Sequence, residues 1–237
     1  PAIADYAGAM LDFLEQMRLR KVDVLGYHTG AAIAAEMAIA APGRVRRIVM
    51  VAVPVFEAAE RKAFDAKPWP APIAEDGSHL AEEWQRSLRW RGPGVSLEQL
   101  AAGFAEKLRN GPQAWWGASA AVHWPAAERL AQVAQPTLVL RPRDDLWEVT
   151  PRANGLLPQA QFKDLEAQGF GLFEVAPEVV VSAMATSIAA SSGALARLSP
   201  VQPTVTSARP ASSEAAACVP KTANSFSACA RKRSSGR

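Results

Sequence analysis

The chain has 237 residues, 49% of them hydrophobic and 21% charged, which is enough for one globular domain with a real core and a small insert. No apolar run approaches the roughly eighteen residues a membrane span requires. The formal charge of +3 is unevenly placed: from Ser191 onward seven Lys/Arg face only Glu214, so residues 1–190 carry −3 and the pI of 9.1 belongs to the tail. That balance excludes a basic nucleic-acid-binding body. Cys218 and Cys229 also lie in the tail, so disulfides, zinc–thiolate sites and cysteine catalysis are excluded from residues 1–190. A reducing, cytoplasmic setting is the expectation.

In chain order, Ile3, Tyr6, Met10, Phe13 and Met17 recur at helical spacing and predict an amphipathic helix with that face buried. Lys21-Val22-Asp23-Val24-Leu25-Gly26 reads as a short buried strand that ends on glycine. Residues 29–41 form a helix of very small residues, closed by Pro42-Gly43, and residues 47–53 form a second buried strand stopped by Pro54. Helix, strand, helix, strand is the order of a parallel α/β sheet with right-handed crossovers.

Strand patterns vanish between about Phe56 and Gln135. Helical stretches appear instead at 79–90, 96–109 and 125–133, together with six of the seven tryptophans: Trp69, Trp84, Trp90, Trp115, Trp116 and Trp124. Strands resume at 136–141 and 161–165, with helices expected near 150–157 and at 176–189. The expected organisation is a core in two parts, 1–55 and 136–190, interrupted by a helical insert at 56–135. The 47 residues from Ser191 hold ten Ser and ten Ala but only six of Val, Leu, Ile, Met, Phe or Trp. Such a composition cannot offset its ordering entropy and predicts disorder; its dispersed Arg, Pro and Cys also fit a shifted reading frame.

The segment Gly26-Tyr27-His28-Thr29-Gly30, between a strand and a small-residue helix, has the glycine spacing of a nucleophile elbow. Such a turn holds its middle residue in a strained conformation, and bulk at either glycine is expected to meet neighbouring backbone. The following helix offers its positive dipole end, with the Thr29 N–H aimed at a developing oxyanion. On these residues, and on the later QPTLVLRPRDDLWEVTPRANGLLPQAQFKDL, most of residues 3–190 resembles the α/β-hydrolase superfamily.

That resemblance implies a parallel sheet flanked by helices, with the 56–135 insert as a lid. It places the nucleophile position on His28 and the acid on Asp145, with the adjacent Asp144 as second choice. The base histidine falls on Phe170, in the loop Gln168-Gly169-Phe170-Gly171. Phenylalanine cannot accept a proton, so the serine-hydrolase relay is broken at two of its three places. The family's early strands would precede Pro1, which predicts a truncated fold with the 22–26 strand at a sheet edge.

Two site readings follow. One is a His28–Asp145 dyad in which the carboxylate orients an imidazole that activates water; the other is a non-catalytic pocket that only binds a ligand. Asp144-Asp145 could also simply cap the turn that follows them. Tyr27 and Thr29 offer hydroxyls to a ligand, and the tryptophans, read first as packing, suggest an apolar or aromatic one. His79 and His123 are isolated and read as structural. No metal-ligand spacing and no cofactor motif appears, and neither nucleic acid nor membrane is an expected partner. The functional expectation is a relative of hydrolases of small apolar esters, lactones or similar carbonyl compounds; the alternative is a ligand-binding relative.

Overall fold

In a computed structural model that describes residues 1–193, four parallel strands pair in chain order: β1 (Val22–Tyr27), β2 (Val45–Val51), β3 (Thr137–Pro142) and β4 (Gln161–Leu165). Their limits lie within two residues of those expected from the hydrophobic runs. β2 and β3 supply the buried centre, with Met50, Val51, Val139 and Leu140 fully covered. β1 pairs with β2 alone among the described residues, as its expected edge position requires. It is not the buried strand its composition suggests: only Gly26 is buried, and Leu25 is 41% exposed. Its exposure alternates: Val22, Val24 and Gly26 turn to the core that the following helix covers, whereas Asp23 and Leu25 lie on the opposite face of the sheet, which is left open there.

The helix α2 (Thr29–Ala40) follows β1, and Ala31, Ala32, Ala34, Ala35 and Ala38 are at most 1% exposed. It packs on β1 and β2 on one side and on α1 (Ile3–Gln16) on the other. Side chains this small let helix and sheet approach closely, which also explains why α2 has no single apolar face. That packing corrects the expected face of α1. Ile3, Ala7 and Leu14 are buried, whereas Met10, Phe13 and Met17 are 43–57% exposed. A helix lying on an alanine surface is held by the residues that fit it, here Ala7 and its neighbours one and two turns away, and larger side chains are displaced to the flanks.

Between β2 and β3 runs the helical insert: α3 (Ala58–Asp65), α4 (Ser78–Arg89), α5 (Leu97–Arg109), a 3-10 turn at Gly111–Trp115, α6 (Trp116–Val122) and α7 (Ala126–Leu130). The expected helices at 79–90 and 96–109 are α4 and α5. The 125–133 helix is shorter, and α3 and α6 were not legible as helices. Ser96 caps α5: its Oγ accepts from the Gln99 N–H, and the Gln99 side chain accepts from the Ser96 N–H. Trp84 packs edge-on against Phe104, joining α4 to α5.

The base of the insert is clamped to α2 by a charge. Glu36 is buried, and its carboxylate accepts Arg129 Nε at 2.7 Å, Arg129 Nη2 at 2.6 Å and Trp124 Nε1 at 2.8 Å. Burial pushes the Glu36 carboxyl up, but the hydrogen bonds from Arg129 and Trp124 outweigh it and hold the group below the usual glutamate range. A depressed carboxyl stabilises the fold fully above its unfolded value and loses that contribution as acidification passes through its folded value. Glu36→Ala is therefore expected to lower stability at neutral pH by about 2–4 kcal/mol, since it strands a buried indole N–H and a half-buried guanidinium. The gap between variant and native chain in urea unfolding should narrow as pH falls below the usual glutamate range. A gap independent of pH would show that the clamp's charge is not what stabilises.

After β3 the expected helix at 150–157 is only a 3-10 turn, Thr150–Ala153, with Pro151 as its second residue and Gly155 shortly after it. Thr150 is buried, and its Oγ1 accepts from the Val53 N–H at 3.0 Å. α8 (Leu172–Val175) and α9 (Pro177–Gly193) complete the described chain. The expectation of disorder from Ser191 falls, beyond the end of α9, outside the described residues. No described helix is long and apolar enough to cross a membrane.

Candidate active site

The C-terminal ends of β1, β3 and β4 converge, which is where a parallel sheet places its ligands. At the end of β1, His28 adopts φ 51°, ψ −116°, a conformation a non-glycine residue rarely takes, and Thr29 begins α2. The chain thus turns sharply from strand to helix at His28, as the elbow pattern requires. Its two glycines are not equivalent. A Cβ on Gly26 would lie 2.0 Å from the Gly30 carbonyl oxygen and 2.7 Å from the Ala31 nitrogen, whereas one on Gly30 would meet nothing within 4 Å. The expected steric need at both glycines holds for Gly26 only, because Gly30 is on the open side of the first helical turn.

The His28 imidazole reaches the loop after β3, but its closest partner is not the expected aspartate. Nε2 lies 2.9 Å from Asp144 Oδ2 and 3.7 Å from Asp145 Oδ1. The Asp144 side chain is fully buried and that of Asp145 is 43% exposed. Asp144 also holds its own turn, because Oδ1 accepts from the Leu146 N–H at 3.0 Å. The capping role and the site role therefore fall on the same residue, one oxygen each. The Asp145 carboxyl is raised, first by burial among its neighbours, against the pull of His28, and further by Asp144.

The hydroxyls expected for a ligand are taken. Tyr27 Oη donates to Asp144 Oδ2 at 3.3 Å, and Thr29 Oγ1 donates to the Gly117 carbonyl at 3.2 Å. Burial, then the Asp144 and Asp145 carboxylates, push the Tyr27 phenol far above its usual range, so it remains a donor. Thr29 keeps its backbone N–H at the first turn of α2, where a helix has no internal acceptor. His28 Nδ1 makes no hydrogen bond among the described residues.

Phe170 stands where the resemblance placed the base. Its ring centroid is 5.1 Å from the imidazole and edge-on to it, so it walls the dyad with hydrocarbon. The loop that carries it is pinned by close backbone contact: a Cβ on Gly92 would lie 2.0 Å from the Phe170 carbonyl oxygen. His28, Thr29 and Asp145 open onto a cavity of about 310 Å³ whose far side comes from the insert, with Phe56, Phe64, Trp69, Arg86 and Trp115 among its walls. Of the tryptophans, Trp69 and Trp115 line this cavity, while Trp124 is buried against Glu36. His79 accepts from the Ala74 N–H and His123 bridges Ser119 and Asp65, so both have the structural roles expected of them.

No metal-ligand spacing is visible along the chain, yet among the described residues the fold assembles one candidate set. His28, Asp144 and Asp145 each offer an atom within 4.8 Å of the others. An ion held there would compete with the Tyr27 hydroxyl and the imidazole for Asp144 Oδ2, which accepts both in this structure.

No protein-family model matches the sequence. Solved structures do. A hydrolase from Pseudomonas aeruginosa aligns at 20% identity over 79% of this chain and 72% of its own, with a TM-score of 0.63. A bromoperoxidase from Bacillus anthracis aligns at 13% identity over 79% and 74%, TM-score 0.62. MenH from S. aureus aligns at 15% identity over 79% and 75%, TM-score 0.60. At such identities the likeness establishes the fold: this chain has the α/β-hydrolase fold.

Proposed function

We propose that this protein is a hydrolase of small apolar esters, lactones or similar carbonyl compounds in which His28 acts as general base in place of a serine nucleophile. The observation that carries this reading is the His28–Asp144 contact at 2.9 Å, at the tip of an elbow that opens on an aromatic cavity. A carboxylate at Nε2 favours the tautomer with its proton on that nitrogen, which leaves Nδ1 with a lone pair. Nδ1 takes a proton from water as the water oxygen attacks the carbonyl carbon. The Thr29 N–H faces the oxyanion that forms, and the proton on Nδ1 then passes to the departing alkoxide. Water and ester become acid and alcohol, with no covalent acyl-enzyme.

The test is hydrolysis of p-nitrophenyl acetate by the full chain. Turnover should proceed without a burst of p-nitrophenol, and His28→Ala should lower kcat/KM by about a hundredfold or more. A stoichiometric burst would point to a covalent nucleophile and remove the proposal. Equal rates in the two proteins would favour a ligand-binding pocket, the reading supported by the Phe170 ring in the place of a base.

A further inference from the structure

The cavity beside the elbow is apolar on most sides and carries a guanidinium with one buried nitrogen that lacks a hydrogen bond. Arg86, on α4, extends its guanidinium over Trp69, with Cζ 4.6 Å from that ring's centroid and 5.3 Å from that of Trp115. Its Nη1 is buried and makes no hydrogen bond. The nearest carboxylate oxygen to that nitrogen is Glu83 Oε2 at 3.2 Å, one turn earlier on the same helix and placed for charge attraction without hydrogen-bond geometry. Glu83 is shared, since its Oε1 also accepts from Lys107 Nζ. One carboxylate is thus shared by two cations, and Arg86 Nη1 is left without a hydrogen-bond acceptor.

The other carboxylates of the cavity wall, Glu60 and Asp145, make no ion pair with Arg86. Glu60 is held by Arg152 Nη1 at 2.5 Å and Nη2 at 3.0 Å. Asp145 faces His28 and forms no ion pair with Arg86. A guanidinium lying over an indole ring still presents a planar fork of donors and is more weakly hydrated than an ammonium, which suits it to a planar carboxylate. A buried donor with no partner costs free energy that a ligand oxygen would recover.

We propose that the elbow cavity takes substrates bearing a carboxylate as well as a hydrolysable carbonyl, with the carboxylate bound by Arg86 and the apolar body held among the side chains of Phe56, Phe64 and Trp69 while the carbonyl faces His28. The proposal rests on the reading of this cavity as the substrate site and adds the class of molecule it selects. Arg86 sets specificity and takes no part in the bond-making step. The size of the cavity, about 310 Å³, limits the ligand to a small organic acid.

The experiment titrates the full chain with phenylacetate and with phenylacetamide, its neutral near-isostere, following the fluorescence of the tryptophans that flank the guanidinium. Phenylacetate should bind about tenfold or more tightly than the amide. Arg86→Gln should bring that preference to about unity, and Arg86→Lys should retain part of it. In the native chain the preference should shrink between about 20 and about 300 mM salt, a check that needs no variant to fold. Equal binding of the two probes, no binding of phenylacetate, or a preference undiminished in Arg86→Gln would each overturn the proposal. Binding is read without turnover, so a failure of His28-dependent hydrolysis leaves a carboxylate preference standing, and equal binding leaves the hydrolysis standing.

Discussion

Asp144→Asn should lower kcat/KM for p-nitrophenyl acetate by at least about a hundredfold, whereas Asp145→Asn should lower it by less than about fivefold. The Asp144 carboxylate is 2.9 Å from His28 Nε2 and is fully buried, so water does not screen it. An asparagine amide in its place can turn its NH2 toward Nε2, which drives the imidazole proton to Nδ1 and removes the lone pair that the reaction uses. The local fold should survive, because an asparagine oxygen can still accept from the Leu146 N–H that Asp144 Oδ1 now holds. Asp145 is 3.7 Å from the same nitrogen and 43% exposed, so its loss removes a weaker field. Steady-state kinetics of the two variants, with melting curves to show that both are folded, decide the matter. A larger loss in Asp145→Asn would return the acid to the position suggested by the family resemblance.

The second large effect is on stability. Gly26→Ala is expected to destabilise the chain by about 3 kcal/mol or more, while Gly30→Ala should be neutral or stabilise by up to about 1 kcal/mol. The atoms that an alanine Cβ at Gly26 would strike are the carbonyl group of Gly30 and the nitrogen of Ala31, all main chain. They cannot rotate aside; relief requires α2 to lift from the sheet, and with it the alanines packed there at 0–1% exposure. At Gly30 the space is open and the residue is helical, so alanine lowers the entropy of the unfolded chain at no steric cost. Urea unfolding of the two variants measures the contrast. A Gly26→Ala chain as stable as the native one would mean that the elbow is looser than its geometry indicates.

Much of the architecture was legible along the chain because its causes are local. Apolar runs of strand length, the Gly26-to-Gly30 spacing, the alanine run behind it and the Pro and Gly stops each act over a few residues, and together they require strand, sharp turn and helix. The resemblance built on them led to the α/β-hydrolase fold that the solved structures share. The edge position expected for β1 agrees with its pairing to β2 alone among the described residues.

What the tertiary structure alone decided depends on groups distant in sequence. Asp144 and Asp145 are chemically identical neighbours, and only the direction of the turn after β3 sends the first to His28, 116 residues away, and leaves the second half-exposed. The buried face of α1 was set by its alanine-rich partner rather than by its own largest side chains. Glu36 is one polar residue in an apolar helix until Arg129, 93 residues on, and Trp124 surround it. Arg86 is one charge on an amphipathic helix, and only the folded insert lays it against two tryptophan rings at the wall of the elbow cavity. Periodicity reports which residues leave water; it carries no information on which of them meet, and the chemistry of this site is made by the meetings.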